Sequence, residues 1–556
     1  MICILHGYLL DGSGSNLWSR SILEALCRQG YEVHIMCQEN HPNLYPFIKK
    51  ALSYDLDGKV STLLEREVPY KGGCILHQPK LSGILPVYVW DKYEEYSDVR
   101  PMVEMTDADL DIYLQRNIEV LSQIVEQNDI RVVHANHLVL MSVVAAAVYE
   151  SHKIPYTIMP HGSALEYAVK KDHRFLIYAQ RAMTKARLVF VNGEEIQGRV
   201  ETTFSEVKNL SNKFRTLNLG VDTEIFDIIP ANHENKGKAF LDPVLKEKRI
   251  KLLCDRLSQQ PCNGGHIGKG FLAGISLPIN FQAKLTAEYN QKVPDQDLIA
   301  KLQAVEWTSA QVILYVGRLI YGKGVHTIIG SLPDVMDMHS NAILVVVGHG
   351  PARGLLELLL WAAGNGNGDL FKQLVNHGRG LEDGSNGSLE SLAEWIVSLE
   401  SLNEWDSWID KAQRSRVHEK VVFTGYLTHE YLRWLFPCCD CAVFPSVVKE
   451  SGPLVFLESI ASGCFPVGTN IGGTKASIDS FSAVIPDEVG KLMKIQPDRS
   501  VGSLIENLTE LLKSGHRWQF PLREELLKSY DWKSIADRLV HYISVEFDVD
   551  LDQVKK

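Results

Sequence analysis

Short apolar runs alternate with amphipathic stretches along most of the chain. The first run, Ile2–Leu5, has the length of a buried strand, and residues 17–29 repeat their apolar positions with helical spacing before Gly30. A second run at 33–36 completes a strand–helix–strand unit of the kind that builds doubly wound sheets. Further strand-like runs lie at 156–159, 188–191, 314–316, 343–347 and 441–444. The sequence therefore predicts an α/β protein.

Length and composition allow more than one core and exclude some classes of protein. The chain has 556 residues, of which 45% are hydrophobic and 22% are charged, so two α/β domains fit. A net charge of -11 argues against a generic nucleic-acid surface. No apolar run is long enough to cross a bilayer, so membrane association is not indicated. Ten cysteines without a repeated pattern indicate a reducing, cytoplasmic location.

One strand–loop–helix segment carries two glutamates whose placement suits a sugar nucleotide. A helix is predicted from Gly452 onward, after the run 441–444, so Glu450 lies on the loop and Glu458 two turns into the helix. Free N–H groups and the dipole at a helix start favour a diphosphate. Glu450 would then accept hydrogen bonds from the sugar, and Glu458 from the ribose. Two glutamates at this spacing are usually an ordinary loop residue and a surface residue. The neighbouring sequence therefore decides how they are interpreted.

That context resembles the signature of family 4 of the retaining glycosyltransferases. Residues 445–473 contain a Pro-Ser strand end, the two glutamates and a later Gly-Gly pair, as the family's motif does. Upstream, Arg318 and Lys323 follow an apolar strand and resemble the family's diphosphate clamp. An arginine offers a planar fork and a lysine a mobile charge, so together they can neutralise a pyrophosphate from two directions. The resemblance is clear over residues 311–480 and looser over 1–227.

The resemblance implies further contacts with the donor. The loop after 343–347 is expected to pass close to it, and backbone groups after Phe423 are expected to read the edge of the base. A glycine-rich loop at 11–16 is expected to lie against donor or acceptor; it lacks the third glycine of a dinucleotide fingerprint. The implied catalytic residues are Arg318, Lys323, Glu450 and His137. The implied nucleotide-sugar contacts are Gly14, Gly317, Gly348, Gly350, Tyr426, Leu427, Ser451, Gly452, Pro453, Leu454, Val455 and Glu458.

Histidines at two predicted strand ends are candidate site residues of the first domain. The family places a histidine that points at the donor sugar where this chain has His134 and His137, three residues apart; His137 is favoured. A purely structural histidine remains the alternative. His161 follows the next strand and resembles a turn of the family, and Glu166 lies on a predicted helix beyond it. His134, His161 and Glu166 are candidate acceptor contacts, Glu166 also fitting an ordinary solvated face.

The family implies a fold and a reaction. The fold, GT-B, has two Rossmann-like domains facing across a cleft, here 1–226 and 311–520, with a C-terminal helix and tail at 521–556 crossing back to the first. The reaction is retaining transfer of a sugar from a nucleoside-diphosphate sugar, most readily a UDP sugar, to an acceptor hydroxyl, with no metal or other cofactor. A sugar-nucleotide epimerase on the same fold and a non-catalytic sugar-nucleotide-binding protein are the alternatives.

Two long segments depart from the family pattern. Residues 227–310 stand where a short linker is expected, and their glycine-rich run 263–270 lacks the residues of a phosphate-binding loop. Residues 352–420 interrupt the second domain with glycine- and asparagine-rich runs between amphipathic pieces, the last at 389–409. Both are expected to be surface insertions able to carry specificity.

Overall fold

The structure of the protein is a computed structural model in which two compact units are described. It describes residues 1–11, 14–81, 83–88, 96–228, 243–259, 292–383, 387–450, 452, 454–514, 519–549 and 551. The first unit comprises Met1–Gly220 with Lys528–Lys556, and the second comprises Val221–Leu527. The units thus divide after 220 and 527, whereas the sequence analysis placed the divisions after 226 and 520.

Most strands of the first unit join in one twisted, nearly all-parallel sheet. Its strands are β1 Ile2–Leu5, β2 Glu32–Met36, β3 Ile48–Tyr54, β4 Val60–Glu65, β5 Gly73–Pro79, β8 Val132–Ala135, β9 Tyr156–Ile158, β10 Leu188–Val191 and β11 Phe214–Thr216, and β6 Ile84–Val87 pairs separately with β7 Asp98–Pro101. The sheet order is β11-β10-β9-β8-β1-β2-β5-β3-β4. Among the described strands of this sheet, only the pair β3 and β4 is antiparallel.

Helices cover both faces of this sheet. They are α1 Gly14–Arg28, α2 Asp107–Gln127, α3 Met141–His152, α4 His173–Lys185, α5 Glu194–Thr203 and α6 Leu210–Lys213. Along β1, Ile2 and Ile4 belong to one buried cluster while Cys3 and Leu5 belong to the other. Alternate side chains of a strand point to opposite faces, so a continuous apolar run is what a sheet buried on both sides needs.

The second unit holds a six-stranded, all-parallel sheet. Its strands are β12 Gln311–Val316, β13 Ala342–Val347, β14 Val421–Gly425, β15 Cys441–Phe444, β16 Phe465–Thr469 and β17 Lys494–Ile495, in the order β14-β13-β12-β15-β16-β17. Its helices are α7 Pro243–Ser258, α8 Leu298–Gln303, α9 Val325–Met338, α10 Arg353–Gly364, α11 Gly368–Asp383, α12 Glu390–Ser401, α13 Trp405–Arg414, α14 His429–Leu435, α15 Leu454–Ala461, α16 Gly472–Ser482, α17 Asp487–Leu492, α18 Ser500–Ser514 and α19 Gln519–Ser529. The predicted α/β class with parallel sheets is confirmed.

The last long helix, α20 Trp532–Phe547, belongs to the first unit. The sequence analysis expected a single C-terminal helix within 521–556, but the helical structure there is interrupted between α19 and α20. Asp531 ends the break by capping α20, because its side chain accepts a hydrogen bond from the amide of Lys533 at 3.0 Å. Trp532 then packs with Trp18 of α1, their ring centroids 6.5 Å apart, which joins the C-terminal helix to the first core.

The described part of the segment 352–420 is a set of packed helices, in line with its amphipathic pieces, and it is partly buried. Its large side chains Phe371 and Trp408 are buried, and their rings meet at 5.2 Å between centroids. The predicted helix at 389–409 is two helices, α12 and α13, because Asn403 adopts a left-handed conformation with φ 57°. Of the segment 227–310, α7 and α8 are described, while the glycine-rich run 263–270 lies outside the described residues.

No helix among the described residues is long and apolar enough to cross a membrane. The nine cysteines that the structure describes are all buried and free of disulfides. The sulfur of Cys438, one of the three cysteines near β15, lies 3.3 Å from the carbonyl oxygen of Trp434. These thiols therefore behave as small core side chains.

A buried ion cluster ties the end of the segment 227–310 to the second core. Arg353 donates to both carboxylate oxygens of Asp295 at 2.6 Å, and the two side chains are only 3% and 2% exposed. Lys301 adds a bond of 2.8 Å to Asp295, and Glu357 one of 3.0 Å to Arg353. Burying a charge removes it from water at a cost in free energy, which is offset only when each charge is paired in good geometry. The cluster therefore holds the chain before β12 in one position.

Replacing Asp295 with alanine should lower the free energy of unfolding by about 3–5 kcal/mol, because Arg353 would keep its buried charge with one carboxylate partner fewer. Urea unfolding followed by circular dichroism measures the change. Glu506→Ala is the matched control, since Arg499 and Glu506 form a similar two-bond pair at 2.8 and 2.9 Å with side chains 54% and 60% exposed. Similar midpoints for the two variants would contradict a stabilising role for the buried cluster.

Candidate functional site

The strand order of the second sheet defines where its loops converge. The chain runs from β12 to β13 and β14 on one side and then returns to β15 on the other side of β12. Such a reversal leaves a crevice at the carboxyl ends of the two central strands, the usual ligand position in doubly wound sheets. The loops after β12 and β15 carry Arg318, Lys323 and Glu450. The topology therefore brings the predicted clamp and the first predicted glutamate to one place.

Close backbone packing at this crevice requires glycine at two positions in particular. A side chain on Gly348, which has φ 154°, would place its Cβ 1.8 Å from the carbonyl oxygen of Gly317. A side chain on Gly324, with φ 70°, would place its Cβ 1.9 Å from the carbonyl oxygen of Pro445. Real carbon atoms cannot approach so closely, so only glycine lets these loops touch. Gly317, Gly348 and, by the same kind of contact, Gly350 thus shape the loops.

Lys323 and Glu450 form an ion pair across the crevice. The Lys323 ammonium lies 2.5 Å from one Glu450 carboxylate oxygen, and the hydroxyl of Ser446 donates to the other oxygen. Backbone bonding supports the pair, because the amide of Val447 donates to the carbonyl of Gly322 at 3.0 Å. Arg318 is exposed on the same loop, where its carbonyl accepts from the Tyr315 hydroxyl at 2.8 Å. One cation and one carboxylate therefore meet at the switch point, and Arg318 lies on the same loop as the cation.

Glu458 is buried with an incomplete set of partners. Its side chain is 4% exposed, and its Oε1 lies 3.5 Å from Nε2 of His429. Its Oε2 is buried and has no hydrogen-bond partner among the described residues. Burial raises the pKa of Glu458, and the neighbouring His429 opposes that rise. An unpaired buried oxygen costs about 1–3 kcal/mol, so a ligand hydroxyl placed there would recover that energy.

The helix that carries Glu458 begins close to Glu450. It starts among the described residues at Leu454, so Glu458 lies about one turn into it, not two as the sequence suggested. Leu454 and Val455 are half-buried in the first turn, where amide groups have no partner within the helix. Gly452 is described with φ 133°, a conformation that favours glycine. Ser451 and Pro453 lie outside the described residues.

The predicted base-reading segment after β14 is partly occupied by the chain itself. The amide of Tyr426 donates to the carbonyl of Val293 at 3.0 Å, and the amide of Asp295 donates to Thr424 at 2.8 Å. Tyr426 also contacts His349, with ring centroids 5.4 Å apart, while Leu427 is buried. The amide of Tyr426 is thus already bonded in this structure. Nothing in the sequence pattern signalled this contact, because Val293 lies in the segment interpreted as an insertion.

The first unit has a corresponding switch point between β1 and β8. At their ends Asn136 lies 3.3 Å from His6 through its amide nitrogen, and its oxygen lies 2.6 Å from Nε2 of His161. His137 stands beside them, 4.8 Å from His161 and 5.8 Å from His6 between ring centroids. The structure thus gathers the predicted His137 and His161. Sequence reasoning missed His6 and Asn136, although each directly follows an apolar strand.

The histidines of this cluster are neutral. Burial lowers the pKa of His6 to about 4 and that of His161 to about 3. Burial also holds the pKa of His137 well below its usual range, and the neighbouring His161 and His6 add to this effect. Neither ring nitrogen of His137 has a partner among the described residues. A neutral, unpaired imidazole of this kind can donate to or accept from a ligand hydroxyl.

His134 and Glu166, the remaining candidate residues of the first unit, bond with residues outside this cluster. His134 is fully buried, its Nδ1 2.8 Å from the Thr157 hydroxyl and its ring beside Trp18, as a core histidine would be. Glu166 pairs with Lys170 at 2.6 Å and with Arg199 at 3.0 Å, which leaves it on a charged surface.

Gly14 was expected on a loop, but it is the first residue of α1, and its Cβ position meets no atom within 4 Å.

Comparison with known proteins finds family models that match part of the chain. Residues 302–379 and 395–514 match two family models, each described as glycosyl transferases group 1. These stretches contain Arg318, Lys323 and both glutamates, and they reach into both ends of the segment 352–420. Over these residues the chain is similar to the group 1 glycosyltransferases.

Curated relatives within this family are distant. A glycogen synthase of Mycobacterium tuberculosis is 25% identical over 229 residues, which are 41% of this chain and 41% of the relative. An uncharacterized glycosyltransferase of Methanocaldococcus jannaschii is 24% identical over 245 residues, 43% of this chain and 46% of the relative. The matches thus span less than half the length of either relative.

Solved structures show the shared fold. The catalytic domain of starch synthase IV from Arabidopsis thaliana aligns over 99% of each chain with a TM-score of 0.52 and 13% identity. A sucrose-phosphate synthase from Thermosynechococcus elongatus aligns over 99% of each chain with a TM-score of 0.50 and 14% identity. The chain therefore has the GT-B fold, as the sequence resemblance implied.

Gly324→Ala should separate the clamp loop, which is residues 317–324 between β12 and α9, from the loop after β15. A positive φ at a non-glycine residue costs about 1–3 kcal/mol, and the overlap with Pro445 adds to this cost. Urea unfolding should show the loss, whereas the control Gly198→Ala, whose Cβ meets nothing within 4 Å, should be neutral or stabilising. If Gly324→Ala unfolds at the same urea concentration as Gly198→Ala, the close approach of the two loops is not required.

Proposed function

We propose that this protein transfers a sugar from a nucleoside-diphosphate sugar to an acceptor hydroxyl, with retention of anomeric configuration and without a metal ion. The observation that carries the proposal is the meeting of Lys323 with Glu450 at the switch point, next to a helix whose Glu458 has an unpaired buried oxygen. A diphosphate, a sugar and a ribose present the groups that these three side chains would bind.

Each side chain has a role that follows from its charge and position. Lys323 and Arg318 would neutralise the diphosphate, the first by leaving its present partner Glu450. Glu450, released in the same step, would accept a hydrogen bond from a sugar hydroxyl. Glu458 would accept from the ribose and so satisfy its free oxygen. Donor binding would thus exchange an ion pair within the protein for two sets of contacts with one ligand.

Catalysis would depend mainly on stabilising the departing charge. The bond between the anomeric carbon and the phosphate oxygen breaks, its electron pair stays on the diphosphate, and the acceptor oxygen bonds to the carbon on the same face. The acceptor proton passes to the departing phosphate. Cations held in place where negative charge develops are the strongest contribution that a protein makes to such a step. With Arg318 and Lys323 in that position, no protein nucleophile and no metal is required.

Support for the donor comes from the family and from one neighbour, the starch synthase domain, which was solved with ADP and acarbose. A UDP sugar remains our preferred donor. In the first unit, His137 is the candidate contact with substrate, because both of its ring nitrogens lack partners among the described residues. His161 and Glu166 are the candidate acceptor contacts.

Screening UDP, GDP and ADP sugars by thermal shift and by donor hydrolysis should identify one stabilising and slowly hydrolysed donor. With that donor, Lys323→Ala and Arg318→Ala should each lower turnover by roughly 10²- to 10³-fold, the cost of one charge-stabilising group. The control Arg499→Ala removes an exposed cation and should leave turnover unchanged.

Turnover should persist in EDTA, and complete, reversible loss in the chelator would contradict a metal-free reaction. A new sugar nucleotide formed from the donor alone would identify an epimerase instead. Binding without turnover under all conditions would identify a non-catalytic binding protein.

The two glutamates should separate by role in calorimetry with the product nucleoside diphosphate. Glu458→Gln should weaken binding by about 1.5–3 kcal/mol, the value of a hydrogen bond to a charged group. Glu450→Gln should leave that binding nearly intact, because it also frees Lys323, and should depress sugar transfer strongly. Equal affinities, or weakening only in Glu450→Gln, would show that the two roles are assigned wrongly.

A further inference from the structure

The clamp loop is held from outside by a side chain of the segment 352–420. Tyr321 begins the 3₁₀ turn that contains Lys323, and the guanidinium carbon of Arg379 lies 4.7 Å from the centre of the Tyr321 ring. The ring of His326 is stacked on the same tyrosine, 5.3 Å away at an interplanar angle of 5°. Burial raises the pKa of Tyr321, and the neighbouring Glu390 raises it further, so the ring stays a neutral acceptor for the cation.

Side chains of the same segment also contact the helix that follows the clamp loop. Helix α9 begins directly after Gly324, and side chains of 352–420 contact it at several positions. The hydroxyls of Thr327 and Ser391 lie 2.8 Å apart, the indole of Trp408 donates to the carbonyl of Gly330 at 3.2 Å, and Lys411 pairs with Asp334 at 2.5 Å. The turn at Tyr321 is bonded to the loop after β15 through Gly322, and from the segment 352–420 it is contacted by Arg379 and Glu390.

Resting on the proposed function, we infer that Arg379 is a positioning residue for the diphosphate clamp. By seating its guanidinium on Tyr321 it holds the turn that carries Lys323, so that the Lys323 ammonium faces the distal phosphate of the donor. Arg379 itself need not touch the ligand. The segment 352–420 then acts on donor binding through this loop.

This role predicts a selective effect on the distal phosphate. A nucleoside diphosphate uses Lys323 and a nucleoside monophosphate does not. Arg379→Ala should therefore weaken the affinity for the diphosphate about 2- to 30-fold, the equivalent of one cation–π contact, and leave the monophosphate affinity unchanged. Arg379→Lys keeps a cation over the ring and should recover most of the loss.

Helix α11 also offers a matched control. Lys372 lies on it with its ammonium 4.5 Å from the Trp405 ring centre, and it pairs with Glu400 at 2.5 Å. It thus makes the same kind of contact within the same segment, with a partner other than the clamp loop. Lys372→Ala should change neither affinity.

The experiment is calorimetry of the full chain with UDP and UMP, and with ADP and AMP, for these variants and for Arg379→Ala combined with Lys323→Ala. The inference holds if Arg379→Ala loses diphosphate affinity alone and the combined variant binds no more weakly than Lys323→Ala. It is overturned if Arg379→Ala binds like the wild type, loses both nucleotides equally, or adds its loss to that of Lys323→Ala.

Tyr321→Leu removes the ring instead of the cation and must give the same selective loss, so the test stands even if one variant fails to fold. A wild-type protein that binds none of the nucleotides would count against the proposed function itself. A wild-type protein that binds UDP or ADP, with Arg379→Ala unaffected, would count against the positioning role alone.

Discussion

The contact between Lys323 and Glu450 joins two loops that are 127 residues apart in sequence, and the candidate site depends on it. It exists because β12 and β15 are neighbours in the sheet although β13 and β14 come between them in the chain. The loops can meet only where glycine lets one backbone touch the other, as Gly324 does against Pro445. Strand order thus decides which side chains meet, and loop glycines decide how closely.

Each unit has a predicted site residue with buried polar atoms that lack a partner among the described residues. Native proteins pair nearly all such groups, so an unpaired one needs an explanation, and a bound ligand is one. In the second unit this is the free oxygen of Glu458, and in the first it is the imidazole of His137. Each stands beyond the carboxyl end of a strand next to a topological switch point. Both units thus hold an incompletely paired polar group, a carboxylate in one and a neutral histidine in the other.

The segments that depart from the family pattern serve the site through its loops. Asp295, near the end of 227–310, is locked to Arg353, and Val293 beside it takes up the amide of Tyr426. In 352–420, Arg379 lies on Tyr321 of the clamp loop. These contacts connect the described parts of both segments to the loops of the candidate site.

The sequence by itself determined the class of fold, the strands that end at the site and the two motifs that carry the charges. Apolar runs and glycine turns are local signals, and the resemblance of the segments around Arg318, Lys323, Glu450 and Glu458 to family motifs predicted a sugar-nucleotide site. Only the tertiary structure decided that Lys323 pairs with Glu450, that His6 and Asn136 join His137, and that Arg379 reaches Tyr321. Those contacts link residues far apart in the chain, and their formation depends on sheet order and helix packing, which no local pattern encodes.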